Sequence, residues 1–223
     1  MTTRRSSPLR LGVLISGSGS NLQAIIDAIE QNNLHAQVRI VISNKPDAYG
    51  LTRAQSHGLP IAIISHKDFT SREAFEAELL HTLTSYDVEL VVLAGFMRLL
   101  SPFFIRAYRH RILNIHPALL PAFPGTHAQR QAVERGVRIA GATVHFVDEE
   151  TDHGPIIIQA AVPAYANDTE ETLSARILAQ EHRIYPQAIQ LFAEGRLEIQ
   201  GHTVMIHDED RAAQTSLCSP KIP

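Results

Sequence analysis

The chain has 223 residues, 44% of them hydrophobic and 19% charged, which suits one substantial domain and excludes a disordered protein. With 20 Lys and Arg against 23 Asp and Glu, the net charge is −3, without the basic footprint of a general nucleic-acid binder or of an anionic-membrane binder. The single cysteine, Cys218, cannot close an internal disulfide, so a reducing, cytoplasmic setting is expected.

Short β-branched runs alternate with longer amphipathic segments, the pattern of a mostly parallel sheet with helices on both faces. No apolar stretch near the start is long enough for a secretory signal, and the most apolar run, 90–97, falls short of the roughly 18 residues that span a bilayer. Strands are predicted at 11–15, 38–42, 61–64 and 88–94. Helices are predicted between them at 21–31, at 48–57 and after Ser71, with Ala74, Phe75, Leu79 and Leu83 on the apolar face of the third. A strand at 111–115 then runs into a proline-rich loop, 116–125. Two longer strands, 139–147 and 156–162, flank an acidic loop. A long helix, 169–194, enters through Asp168 and stops at Gly195, and a hairpin around Gly201 closes the pattern. With no repeat, linker or charge block, one open α/β sheet of Rossmann-like type is expected over 9–206, with poorly ordered extensions at 1–8 and 207–223.

Three segments carry chemistry. Ser16-Gly17-Ser18-Gly19-Ser20-Asn21-Leu22 joins the first strand to the first helix, where glycines let the backbone approach a ligand and free amides favour an anion. Leu22 stands where a dinucleotide fingerprint needs its third glycine, and no Gly-Lys-Ser/Thr follows, so a phosphate monoester fits better than a dinucleotide or triphosphate. A plain strand-to-helix turn accounts for these residues equally well. Asn114-Ile115-His116-Pro117 ends a strand, and alternation puts Asn114 and His116 on one side with Ile115 in the core. An amide and an imidazole so placed can both reach one carbonyl oxygen and stabilise charge developing on it. Asp152, next to His153-Gly154-Pro155, is the carboxylate best placed to orient His116. A solvated acidic turn and a strand-capping histidine explain the same residues without catalysis. Convergence of His116, His145, Asp152 and His153 would make a metal site, but no compact ligand motif is present and no metal is expected. A covalent acyl-enzyme has no nucleophile elbow to support it.

Taken together, these segments resemble the folate-dependent glycinamide ribonucleotide formyltransferase family of purine synthesis. The resemblance rests on Ile15-Ser16-Gly17-Ser18-Gly19-Ser20-Asn21-Leu22-Gln23, Val92-Leu93-Ala94-Gly95-Phe96-Met97-Arg98 and Leu113-Asn114-Ile115-His116-Pro117-Ala118-Leu119-Leu120-Pro121, followed in order by Thr143-Val144-His145-Phe146, Asp152-His153-Gly154-Pro155 and Gln180-Glu181-His182. It implies Asn114, His116 and Asp152 as the catalytic trio. Gly19, Ser20 and Asn21 would hold the ribonucleotide phosphate, with Glu181 near the glycinamide end. The co-substrate 10-formyltetrahydrofolate would lie along Met97, Arg98, Leu99 and Leu100, Asn114, and the loop Asp148, Glu149, Glu150, Thr151 and Asp152, with Arg72 facing its charged tail. The implied partners are these two small molecules, without nucleic acid or membrane and with room for a weak homodimer. The implied reaction is direct attack of the glycinamide amine on the formyl carbon: Asn114 and protonated His116 stabilise the oxyanion, and Asp152 assists proton transfer.

Two positions depart from the family pattern: His153 stands where Gly is frequent, and Ser18 where Asn is common. Methionyl-tRNA formyltransferases share the Asn-x-His loop but use a further domain and a basic surface to hold tRNA. Formyltetrahydrofolate hydrolases put water in place of the amine and carry an N-terminal regulatory domain, whereas here the sheet begins near Leu11. A non-catalytic folate or nucleotide sensor on the same scaffold is the alternative outside enzymology.

Overall fold

A strand buried on both faces must be apolar at odd and even positions alike, and β1 (Leu9–Ile15) is so beyond Arg10: Leu9, Leu11, Val13, Leu14 and Ile15 are all inaccessible to solvent. A computed structural model describes residues 7–208 and places β1 inside a nine-stranded sheet. The remaining strands are β2 (Ala36–Ser43), β3 (Ile61–Ile63), β4 (Leu90–Leu93), β5 (Ile112–His116), β6 (Ile139–Phe146), β7 (Ile156–Pro163), β8 (Leu197–Gln200) and β9 (Thr203–Ile206), in the order β3-β2-β1-β4-β5-β6-β7-β9-β8. From β3 to β5 all neighbours run parallel; β6 is antiparallel to β5 and β7 to β6. The β8–β9 hairpin joins β7 through a single parallel pair, Ile156 with Thr203.

The helices are α1 (Ser20–Glu30), α2 (Tyr49–Ser56), α3 (Arg72–Ser85), α4 (Pro102–Ala107), α5 (Ala128–Glu134) and α6 (Glu170–Ala193). Two apolar layers separate them. Leu22, Ile25, Leu51, Ala132, Leu173, Ile177 and Ile189 bring α1, α2, α5 and α6 onto one face of the sheet. Phe75, Leu79, Leu83, Phe104 and Ile105 bring α3 and α4 onto the other. Ser71 caps α3 as expected, its hydroxyl accepting the Ala74 N–H.

The sequence reading missed α4 and α5. At six and seven residues, neither is long enough for a 3.6-residue period to stand out. It also misplaced the start of α6. Thr169 is the cap: Thr169 and Thr172 exchange side-chain to backbone bonds. Asp168 instead holds Arg176 in a two-pronged ion pair at 2.8 Å, which keeps its carboxyl well below the usual range. The expected extensions lie outside the described residues except for 7–8 and 207–208; His207 bonds its backbone N–H to the Arg196 carbonyl. Among the described residues, no helix is long and apolar enough to cross a membrane.

Polar contacts from Ser16 and Tyr185 tie the parallel strands together near their carboxyl edge. The Ser16 hydroxyl, after β1, donates to Asn44 Oδ1 after β2 at 2.6 Å and accepts the Met97 N–H after β4 at 2.8 Å. Beneath them, the fully buried Tyr185 hydroxyl of α6 lies 3.0 Å from the Leu93 carbonyl and 2.9 Å from the Leu113 carbonyl. Ligands bind at this edge in open α/β sheets.

Candidate active site

Strand alternation acts first. On β5, Ile115 packs into the core beneath α6, leaving Asn114 and His116 on the other side. Antiparallel register then brings β6 alongside, with His145 directly opposite Asn114. Asn114 Nδ2 lies 3.2 Å from His145 Nε2, and His145 Nδ1 lies 2.8 Å from the Phe146 carbonyl. A carbonyl only accepts, so Nδ1 carries the proton of a neutral ring and Nε2 accepts from the Asn114 amide. Burial pushes the His145 imidazole below its ordinary value, in keeping with that tautomer. His145 thus orients Asn114 with one amide hydrogen and the carbonyl oxygen left over.

Asp152 arrives from the turn after β6 in a left-handed backbone conformation, φ +54°. Its Oδ2 lies 3.4 Å from His116 Nδ1 and its Oδ1 lies 3.8 Å from His145 Nε2. The backbone just beyond it has no freedom: a Cβ on Gly154 would stand 1.9 Å from the Phe146 carbonyl oxygen. The structure therefore brings Asn114, His116 and Asp152 together and adds His145.

The loop after β5, which includes a cis Leu120–Pro121 peptide, closes over these groups. The Phe123 carbonyl lies 2.8 Å from His116 Nε2, and the Gly125 N–H donates to Asp152 Oδ2 at 2.7 Å. His116 is buried, with the Phe123 carbonyl beside Nε2 and Asp152 Oδ2 3.4 Å from Nδ1. Thr143 and Gln159 anchor the loop from below. The Thr143 hydroxyl donates to the Ala118 carbonyl and accepts the Leu120 N–H, and Gln159 Nε2 donates to the Leu120 carbonyl and to Thr143.

At the glycine loop, Gly19 has φ +70°, and a Cβ there would stand 2.5 Å from the Gly50 Cα. Only glycine allows the loop to press against α2 this closely. Ser20 and Asn21 begin α1, but the Asn21 side chain turns inward: Nδ2 donates to Glu181 Oε2 at 2.8 Å, while the buried Oδ1 has no partner among the described residues. Burial raises the Glu181 carboxyl. Arg53 of α2 donates from Nε to the Ser18 carbonyl at 2.9 Å, which brings a guanidinium to the loop. Beside it, between α1 and α6, is a cavity of about 640 Å³ touched by Ser20, Gln23, Asp27, Arg53 and His182.

On the other side of the strand exits, Met97 and Leu99 are exposed, at 68% and 66%. Arg72 does not stand free. It pairs with buried Glu76 at 3.2 Å and donates to the Leu99 carbonyl at 2.6 Å, while Glu76 also holds Ser101 through its N–H and hydroxyl. Arg72, Arg98, His66, Phe69 and Leu99 border a cavity of about 220 Å³. In the 148–152 turn, Asp148 Oδ1 accepts the Glu150 N–H, Glu149 pairs with Arg106 at 3.0 Å, and Glu150 and Thr151 are exposed. His153, which the discarded metal-site option grouped with His116, His145 and Asp152, pairs instead with Asp148. Sequence reasoning missed the roles of His145, Arg53, Thr143 and Gln159; only the Thr143-Val144-His145-Phe146 motif hinted at two of them.

Residues 9–189 match the family described as formyl transferase. The chain is 52% identical over 191 residues to phosphoribosylglycinamide formyltransferase of Escherichia coli (strain K12), covering 86% of this chain and 90% of that protein. It is 47% identical over 190 residues to the trifunctional purine biosynthetic protein adenosine-3 of Homo sapiens, of which it spans 19%. The crystal structure of glycinamide ribonucleotide transformylase 1 from Symbiobacterium toebii superposes with a TM-score of 0.89 at 55% identity, covering 91% of this chain and 95% of that one. On these grounds the chain belongs to the formyl transferase family.

Proposed function

We propose that this formyltransferase moves the formyl group of 10-formyltetrahydrofolate directly to the primary amine of phosphoribosylglycinamide, in the making of purines. The observation that carries the mechanism is the meeting of Asn114, His116 and Asp152, with one loop against His116 and Asp152 and with His145 against Asn114. The amine nitrogen attacks the formyl carbon, and the carbonyl π pair moves onto oxygen. The Asn114 amide hydrogen not spent on His145 and the His116 Nε2–H stabilise that oxygen. His116 reaches it by exchanging the Phe123 carbonyl for the formyl oxygen, so the loop must shift as substrate enters. Collapse breaks the bond from carbon to the folate nitrogen. The proton lost by the amine reaches that nitrogen with the help of Asp152, which also holds the His116 cation.

Substrate placement follows the same edge. The amides at the start of α1 with Gly19, Ser20 and the nearby Arg53 hold the phosphate. Asn21 contributes its backbone there, while its Oδ1, unpartnered among the described residues, and the Glu181 carboxyl offer acceptors for donor groups at the glycinamide end. The pterin lies along residues 97–100 and the 148–152 turn. Arg98 and Arg72 border the cavity that takes the carboxylate tail, with Arg72 also bracing residue 99. The test is folate release from 10-formyltetrahydrofolate, followed by absorbance with and without phosphoribosylglycinamide. Strict dependence on the ribonucleotide supports the reading, and equally fast release without it replaces transfer by hydrolysis.

A further inference from the structure

We infer that Asp148, His153 and His202 form a binding site for a first-row divalent transition metal, which pins the loop carrying Asp152 to the terminal hairpin. One ligand atom from each of the three lies within 4.8 Å of the others. The register creates this meeting. Ile156 pairs with Thr203, so the turn before β9, carrying His202, lies against the segment that enters β7 just after His153. The imidazole rings of His153 and His202 stand edge to face with centroids 4.9 Å apart.

Tetrahedral zinc with metal–nitrogen bonds near 2.0–2.1 Å places its ligand atoms about 3.3 Å apart. His153 Nδ1 and Asp148 Oδ2 already stand 3.4 Å apart. His202 is exposed in a two-residue turn, and a side-chain rotation closes the remaining distance. Glu150 Oε2, at 3.7 Å from His153 Nδ1, is available as a fourth ligand; otherwise water completes the sphere. Two imidazoles with one carboxylate favour zinc, cobalt, nickel or copper over magnesium or calcium, which prefer oxygen alone. The site shares no ligand with the catalytic trio: His153 Nδ1 pairs with Asp148, whereas His116 Nδ1 pairs with Asp152. It departs from the sequence expectation of no metal, and it uses the histidine that replaces a frequent glycine.

Asp148 and Asp152 belong to one turn, so metal binding would couple metal supply to formyl transfer. That second part rests on the proposed function.

The test is titration of the full chain, first stripped with chelator, with Zn²⁺ by calorimetry and with Co²⁺ by visible absorbance. The wild type is expected to bind one ion, with cobalt bands of nitrogen and oxygen ligation. His202→Ala and His153→Ala, both in exposed positions, are each expected to weaken affinity at least 10- to 100-fold. Absence of binding by the wild type, or wild-type affinity in both variants, overturns the site. Turnover is then compared with and without Zn²⁺: a change in the wild type that is lost in His202→Ala is expected. Binding without any effect on turnover overturns the coupling and leaves the site. Failure of ribonucleotide-dependent turnover in the metal-free wild type counts against the proposed function instead.

Discussion

Thr143→Val isolates the support beneath the catalytic loop. Valine matches threonine in shape, and the site is fully buried, so packing changes little. The lost hydroxyl donates to the Ala118 carbonyl at 2.7 Å and accepts the Leu120 N–H at 3.1 Å. Gln159 still reaches the Leu120 carbonyl at 2.9 Å but loses its 3.0 Å bond to the hydroxyl, so two backbone groups and one Gln159 amide hydrogen lose a partner. At about 1–3 kcal/mol for each unsatisfied buried group, and with partial relaxation, the expected loss is about 2–4 kcal/mol. For a chain of this size that lowers Tm by roughly 4–16 °C. Urea unfolding followed by circular dichroism measures it. The same loop presents the Phe123 carbonyl to His116 and the Gly125 N–H to Asp152, so kcat under native conditions should fall about 10- to 100-fold through misplacement of these groups. An unchanged urea midpoint together with normal kcat would show that Thr143 does not hold the loop.

Asn114→Ala should lower kcat by about 10²–10³ with little change in KM, because its free amide hydrogen acts on the oxyanion; a rise in KM at constant kcat would make it a ground-state binder. Glu181→Gln keeps an acceptor for Asn21 and removes a carboxyl whose burial raises it above 4.5. A raised carboxyl contributes stability below its unfolded value of about 4.3 and loses it as pH climbs through the folded value. The variant should therefore gain stability relative to wild type as pH rises from 4 to 8, while binding phosphoribosylglycinamide more weakly; parallel stability curves would contradict the burial argument. Tyr185→Phe removes the hydroxyl that bridges the β4 and β5 exits and should cost about 1–2 kcal/mol in urea unfolding, against no change if that bridge is idle.

The parallel half of the sheet was legible because buried strands announce themselves: β4 is apolar at every position, and β1 is charged only at Arg10 near its start. Asn114 and His116 were legible for a second local reason, a period of two at a strand end. The partners that fix their chemistry were not. His145 reaches Asn114 only through the β5–β6 register, and Arg53 meets Ser18 only because Gly19 and Gly50 allow two backbones to touch. Such contacts depend on pairing between distant segments, and no spacing within one segment encodes them. Asp168 failed as a cap for a more local reason: its carboxylate is taken by Arg176, two turns further along α6, and by the Tyr165 N–H and the Thr172 hydroxyl.

The most direct test of the central claim is the rate of folate release by wild type and His116→Ala, each shown to be folded and each assayed with and without phosphoribosylglycinamide. The account predicts release by the wild type only when the ribonucleotide is present, and a loss of about 10²–10³ in the variant. Near-normal turnover in a folded His116→Ala protein would contradict it.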